Sequence, residues 1–284
     1  MVAAGKYGEV SVFRNDDVAS LEHMLTTFLA ERDERPAHCA LAVAAPICGD
    51  NVTMCNRDWA FSVQSVRALG LDRIEIINDF HAIAYALPHF DDRTRVEIGS
   101  ASQYREGNIA VLGPGSGLGM AAWIGGTAAM TGEGGHITVS GRDEHEDQII
   151  ASLRGGFGHC SAERILSGPG LVALHKAMHG TATESSESIT ASPDIDQHRE
   201  TLQQFFRFLA YAAADLALVT GAYGGVYIAG GIVPACIAQI QQSDFRARFE
   251  QKNRYTDYMR GIPTWVITDP FPGLTGLKAY IDRL

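Results

Sequence analysis

The residues able to do chemistry in this 284-residue chain sit in short polar or glycine-rich segments beside apolar runs. In IEIINDF, Asn78 and Asp79 end an apolar stretch from Ile74, and ligands of open α/β sheets gather at such strand ends. Asp79 can take a proton from a hydroxyl while Asn78 orients that hydroxyl. The same pair is also an ordinary former of turns. In GEGGH, Gly132 to His136, the glycines let backbone approach a ligand, and Glu133 and His136 flank it with the hydrogen-bonding groups a sugar needs. A flexible turn with a solvated glutamate is the plainer reading. The spacing is not HExxH, so a zincin-type metal site has no support.

The turn GPGSGLG, Gly113 to Gly119, offers backbone N–H groups that can face phosphate oxygens. It matches neither the dinucleotide fingerprint, which needs a helix next, nor the lysine-bearing P-loop, and a tight hairpin is an equal local reading. SGPG (Ser167 to Gly170) and AGG (Ala229 to Gly231) either pass a nucleotide or merely turn the chain. Glu163 precedes the first of these on a segment that reads as helical from Ser161, where an isolated glutamate is usually solvated.

These segments need a scaffold, and the apolar spacing predicts an alternation of helix and strand, hence an α/β layer. Leu21, Met24, Leu25, Phe28 and Leu29 have helical spacing behind Ser20 as N-cap. Strands are predicted over Cys39 to Ala45, Asn51 to Met54 and Ile74 to Asn78. A further pair, NIAVLG from Asn108 and GMAAWI from Gly119, flanks the turn through Pro114 to Gly117. Residues 181–194, TATESSESITASPD, read as a mobile surface loop. Beyond it Leu202, Phe205, Phe206, Leu209, Ala213 and Leu216 share one helix face, and VYIAGG from Val226 forms another strand.

Composition sets the class. Hydrophobic residues are 46% and charged residues 20%, as in an ordinary globular chain of one large or two ordinary domains. The net charge of −10 disfavours a nucleic-acid partner, and an anionic substrate would need local help. Cys39, Cys48, Cys55, Cys160 and Cys236 form no CxxC pair, which fits a reducing compartment. The start has no leader pattern, and the most apolar stretch, Leu209 to Val219, is short and holds Asp215. A cytoplasmic protein without a membrane partner is expected.

Taken in order, AAPICGDNVTMCNRDWAFS, IEIINDF, GPGSGLG, GEGGH, SAERILSGPGL, YGGVYIAGGIVP and PGLTGLKAY resemble the bacterial ATP-dependent glucokinases of the hexokinase and actin-like superfamily, from about Leu41 to the end. The resemblance implies a two-lobed α/β actin-like fold with a central cleft that holds the site. Residues 1–88 plus 265–284 would form the small lobe and 89–264 the large one. It implies that ATP phosphorylates glucose to glucose 6-phosphate, with Asp79 as base on the 6-hydroxyl and Asn78 beside it. Glu133, His136 and Glu163 would bind the other sugar hydroxyls. Gly115, Ser116 and Gly117 would face the nucleotide phosphates, and Gly168, Gly170, Gly230 and Gly231 would lie around the adenosine. Mg2+ would arrive with ATP, and a homodimer is expected. Related sugar kinases carry a cysteine-rich zinc motif after their sugar-binding histidine, whereas GEGGHITVSGRDEHEDQ continues without one, so no structural zinc is assigned.

The resemblance departs at one point. The family normally opens with a strand hairpin bearing an Asp-x-Gly-Gly-Thr-Asn phosphate turn, and MVAAGKYGEVSVFRNDD aligns instead with the strand after it. Two strands of the small lobe and one phosphate loop are therefore expected to be missing, through a start codon placed too far downstream or a shortened polypeptide, with a natural relative that has lost ATP turnover as the third explanation. Weak or absent kinase activity with residual sugar binding is expected. The rival readings are a non-enzymatic sugar-binding or regulatory protein, a kinase for another hexose, and an actin-like assembly protein, for which the sugar-binding set would have no purpose.

Overall fold

The structure, a computed structural model, describes residues 2–3, 6–7, 10–13, 17–31, 36, 38–45, 47, 49–54, 59–71, 73–181 and 185–284. The chain divides into two compact units, one of Met1–Ala86 with Phe271–Leu284 and one of Leu87–Pro270.

In the first unit, β1 (Val2–Ala3) and β2 (Lys6–Tyr7) pair antiparallel. The rest of the opening segment, expected to align with a family strand, lies largely outside the described residues. Helix α1 (Leu21–Ala30) begins where Ser20 Oγ accepts the His23 N–H at 3.1 Å, and it buries Leu21 and Leu25. β3 (His38–Val43) runs parallel to β6 (Arg73–Asn78) in register from His38 opposite Arg73 to Val43 opposite Asn78. A parallel pair requires a crossover, supplied here by the hairpin β4 (Asn51–Thr53) and β5 (Ala60–Ser62) and the short helix α2 (Val63–Arg67). Val43, Val52, Phe61, Val66 and Ile74 join the two α1 leucines in one apolar cluster. Helix α3 (Asp79–Ala86) follows β6 without a connecting loop.

The second unit is built on a six-stranded sheet of β7 (Arg95–Glu97), β8 (Ile109–Pro114), β9 (Leu118–Ile124), β10 (Ala128–Gly132), β11 (Gly225–Ile228) and β12 (Thr264–Ile267). Their order is β10-β9-β8-β11-β12-β7, with β11 parallel to both β8 and β12 and the other pairs antiparallel. Side chains alternate across a strand, and Ala110, Leu112, Val226, Ile228 and Val266 all fall in one buried cluster with the helices. The helices are α4 (Glu144–Phe157), α5 (Gly168–His179), α6 (Ser186–Ala191), α7 (Asp196–Thr220), α8 (Ile237–Gln242), α9 (Phe245–Glu250) and α10 (Thr256–Arg260). The predicted face of α7 packs, with Leu202, Phe205, Phe206, Leu209 and Ala213 buried and Leu216 partly so, but Phe208, Ala210, Tyr211 and Ala214 on its other sides are buried as well. No helix among the described residues is long and apolar enough to cross a membrane.

One expectation is corrected here. The segment 181–194, read as a mobile loop, contains α6, whose Ile189 is fully buried. Residues 182–184 of that segment lie outside the described residues. Its serines looked like loop composition, but Ser185 is an N-cap accepting the Ser188 N–H at 3.2 Å, and Thr190 Oγ1 donates to the carbonyl of Ser186 at 3.3 Å.

After Pro270 the chain returns to the first unit as α11 (Pro272–Ile281), which packs on α3. A Cβ on Gly276 would lie 1.7 Å from the Ala82 carbonyl oxygen, so only glycine permits this approach.

Candidate active site

The Asn78–Asp79 pair lies at the β6–α3 junction of the first unit, made by contacts local in sequence. Asn78 Oδ1 accepts the N–H groups of Phe80 at 2.9 Å and His81 at 3.3 Å, capping α3, and Nδ2 donates to the Ala45 carbonyl at 3.4 Å. Those bonds fix the turn from strand to helix and leave Asp79 as the first helical residue, its Oδ1 accepting the Phe80 N–H at 2.9 Å. Burial holds His81 below the ordinary imidazole range, so at neutral pH it adds no positive charge at this junction.

The other candidates meet in the second unit. Hairpin β8–β9 closes through Gly115–Gly117, where the Gly115 N–H donates to the Gly117 carbonyl at 2.8 Å. Glu133 ends the stretch after β10, and Gly134–His136 forms one 3-10 turn against the start of β9. Its two glycines are required by contact: a Cβ on Gly135 would meet the Leu118 carbonyl oxygen at 2.2 Å and one on Gly134 the Met120 sulfur at 2.7 Å. Glu133 and His136 are exposed. A second 3-10 turn, Ala162–Arg164, carries Glu163. The segments joining the two turns pair through Ala162 N–H to Ile137 O at 2.9 Å and Val139 N–H to Cys160 O at 3.2 Å. Glu163 Oε2 accepts the Leu118 N–H at 2.9 Å, across 45 positions of chain. Glu133, His136 and Glu163 are thus carried on two turns that share the base of one hairpin.

A cavity of about 650 Å³ opens beside that hairpin. Its lining comes from Gly115 and Ser116, from Gly168, Pro169 and Val172 of α5, from Ser185, Ser186, Glu187 and Thr190 around α6, and from Gly231, Ile232 and Ala235. Of the glycines expected around the nucleotide, Gly115, Gly168 and Gly231 line it, as does Ser116. Gly117, Gly170 and Gly230 do not, and each instead permits a close approach. A Cβ on Gly117 would meet Glu163 Oε2 at 2.5 Å, on Gly170 the Ile165 carbonyl oxygen at 2.6 Å, and on Gly230, at φ +85°, the Pro114 carbonyl oxygen at 2.2 Å.

The α5 N-terminus borders this cavity with its backbone donors spent. Gly168 N–H donates to Gly115 O at 2.8 Å, Gly170 N–H to Ser167 Oγ at 3.0 Å, and Leu171 N–H to Ser167 O at 2.7 Å, while Pro169 has none. The helix therefore offers an anion its dipole rather than free N–H groups. The α6 residues Ser185, Ser186, Glu187 and Thr190 were missed because their segment was read as a loop. The signal available was the Ser-x-x-Ser cap with Ile189 behind it. Among the described residues, no three His, Cys, Asp or Glu side chains stand so as to hold a metal ion.

The second unit thus brings together a glycine hairpin, a Glu-bearing turn and a cavity lined in part by hydroxyls. A sequence model of the family described as Glucokinase matches residues 2–284. The glucokinase of Yersinia pestis (strain Pestoides F) is 38% identical over 299 residues, spanning 99% of this chain and 91% of that protein. Among solved structures, a glucokinase from an Antarctic psychrotroph aligns with TM-score 0.84 at 34% identity, covering 96% of this chain and 88% of that one. The glucokinase of Balamuthia mandrillaris, solved in complex with glucose, aligns with TM-score 0.75 at 19% identity over 92% and 84%, a likeness of fold alone. The chain belongs to the glucokinase family.

Proposed function

We propose that this member of the glucokinase family carries out ATP-dependent phosphorylation of D-glucose with Asp79 as the catalytic base. The sugar 6-hydroxyl gives its proton to the Asp79 carboxylate as its oxygen bonds the γ-phosphorus, and the bond to the β,γ-bridging oxygen breaks to release ADP. Asn78 fixes the Asp79 backbone through its cap on α3. Glu133, His136 and Glu163 hold the remaining hydroxyls, and a site made of such groups rejects sugars that leave them unpaired. The Gly115–Gly117 turn faces the phosphates, and the cavity between α5 and α6 takes the adenosine. Magnesium enters with the nucleotide as the MgATP substrate, its coordination completed by phosphate oxygens and water. The two units act as the small and large lobes. A homodimer working in the cytoplasm belongs to the same proposal, supported by the family resemblance.

The observation that carries this reading is the shared hairpin: one short turn lines the cavity with Gly115 and Ser116, while the amide that follows it is bonded to Glu163. Phosphoryl transfer asks chiefly for positioning and charge stabilisation, and such a hairpin brings the donor's phosphates to the sugar-binding carboxylate. The test is an assay coupled to glucose 6-phosphate formation. Asp79→Asn is expected to lower kcat by roughly 10²–10⁴-fold with glucose affinity by calorimetry within about threefold. Turnover by Asp79→Asn equal to the unsubstituted chain overturns the assignment, and a hexose panel in the same assay decides the sugar.

A further inference from the structure

Glu163 has more structural work than a ligand for sugar hydroxyls requires. Its Oε2 accepts the Leu118 N–H at 2.9 Å, and Leu118 is the residue at which β9 leaves the Gly115–Gly117 turn. Its backbone carbonyl accepts from Ser167 Oγ at 2.8 Å, and that hydroxyl in turn accepts the Gly170 N–H as N-cap of α5. The first N–H of α5, on Gly168, returns to Gly115 O at 2.8 Å, closing a ring of bonds through turn, glutamate and helix. Leu118 stands opposite Pro114 in the hairpin register and spends its N–H on Glu163 rather than on β8. The Glu163 carboxylate is the fastening on the Leu118 side. Gly117 is shaped to it, since any Cβ there would meet Oε2 at 2.5 Å. A carboxylate has about four lone-pair positions, enough to keep the amide while accepting a sugar hydroxyl.

Resting on the assignment of this turn to the nucleotide phosphates, we infer that Glu163 is also a positioning residue for the nucleotide, holding the Gly115–Leu118 turn and the start of α5 in place whether or not sugar is bound. A residue that served the sugar alone would leave nucleotide binding untouched when no sugar is present. The full chain is therefore titrated calorimetrically with MgADP in the absence of glucose, and separately with glucose. Glu163→Ala is expected to weaken MgADP about tenfold, the loss of one hydrogen bond to a charged group. Gly117→Ala should weaken it by a similar factor although the carboxylate remains. The added methyl pushes Oε2 from the Leu118 amide, and the clash is with the end of a flexible side chain, so folding is kept. Glu163→Gln retains an acceptor for that amide and should hold MgADP within about threefold while losing glucose affinity. His136→Ala should weaken glucose alone.

Unchanged MgADP affinity in both Glu163→Ala and Gly117→Ala, with glucose affinity lost in the former, overturns the inference and leaves the sugar reading intact. Weakened MgADP with glucose affinity unmoved by Glu163→Gln and His136→Ala supports the positioning role and removes the sugar reading. Failure of the unsubstituted chain to bind MgADP overturns the nucleotide assignment and the inference together.

Discussion

The two regions that carry the candidate chemistry are built in opposite ways. At the β6–α3 junction Asn78 bonds residues two and three positions ahead, with one long-range bond to the Ala45 carbonyl, and a strand runs straight into a helix, so the cap that precedes Asp79 is mostly local in sequence. At the β8–β9 hairpin local bonds are joined by distant ones. Leu118 is held by Glu163, Gly115 by Gly168, and the GEGGH turn by its fit against the carbonyl of Leu118. Asp79 is thus set chiefly by a local cap, and the Gly115–Gly117 turn by tertiary contacts added to its own. The first should tolerate damage elsewhere in the molecule, and the second should be as strong as the contacts around it.

The sharpest way to break that contrast is Gly135→Ala. Its Cβ would lie 2.2 Å from the Leu118 carbonyl oxygen, a backbone atom that cannot swing aside, so the GEGGH turn and the hairpin must separate. A stability loss of about 2–3 kcal/mol is expected from overpacking of this kind, read from urea unfolding. MgADP affinity should fall with it. Gly115→Ala is the control, because a Cβ there meets nothing within 4 Å, and its unfolding curve should overlay that of the unsubstituted chain. Equal stability of the two variants would show that the hairpin is not held by these contacts.

The same contrast explains what could be read from the sequence. Asn78 and Asp79 end an apolar run in plain view, and the strands from Cys39, Ile74, Asn108 and Val226 follow from alternation and turn residues, because each depends on neighbours in the chain. The long-range bond from Glu163 to Leu118 leaves no local trace; an isolated glutamate on a segment that reads as helical looks solvated. Glycines are ambiguous for the same reason. Gly115 and Gly230 look alike as letters, yet one lines a cavity and the other, at positive φ, clears a carbonyl of a neighbouring strand. Segment 181–194 failed because serine favours both caps and loops, and only the burial of Ile189 separates them.

A smaller effect is expected at the other region. Asn78→Ala removes the cap of α3 and should cost about 1 kcal/mol, within the usual range of roughly 0.5–2 for lost N-caps. Asn78→Asp keeps an acceptor for the Phe80 and His81 amides and should recover most of it. Far-ultraviolet circular dichroism during urea unfolding measures both. A loss as large as that of Gly135→Ala would mean that the junction, too, depends on distant packing.

The mildest expected effect compares a buried histidine of the second unit with a half-buried one of the first. His175 on α5 is 3% exposed, its Nδ1 3.0 Å from Thr201 Oγ1 and its Nε2 3.4 Å from Thr181 Oγ1. Because Thr201 Oγ1 gives its own proton to the Gln197 carbonyl at 2.7 Å, that hydroxyl is left to accept from His175 Nδ1. Burial first, and the neighbouring His179 and His198 next, hold His175 below its ordinary value of 6.5. His81 on α3, packed against Tyr85 and Tyr280, is lowered by burial alone. For both, the unfolded chain binds a proton that the folded one refuses. Stability is therefore full above about pH 6.5 and falls as pH drops from there toward the lowered folded values. Thermal melts between about pH 8 and pH 5 should show this slope, and His81→Phe, which keeps the aromatic contacts without the titrating nitrogens, should flatten the share that belongs to the first unit. Among the described residues, Glu200 reaches this cluster at His179, 4.0 Å away, rather than at His175. The slope left in His81→Phe should accordingly vanish in the double variant with His175→Gln, and a slope that persists there would place the acid sensitivity in other groups.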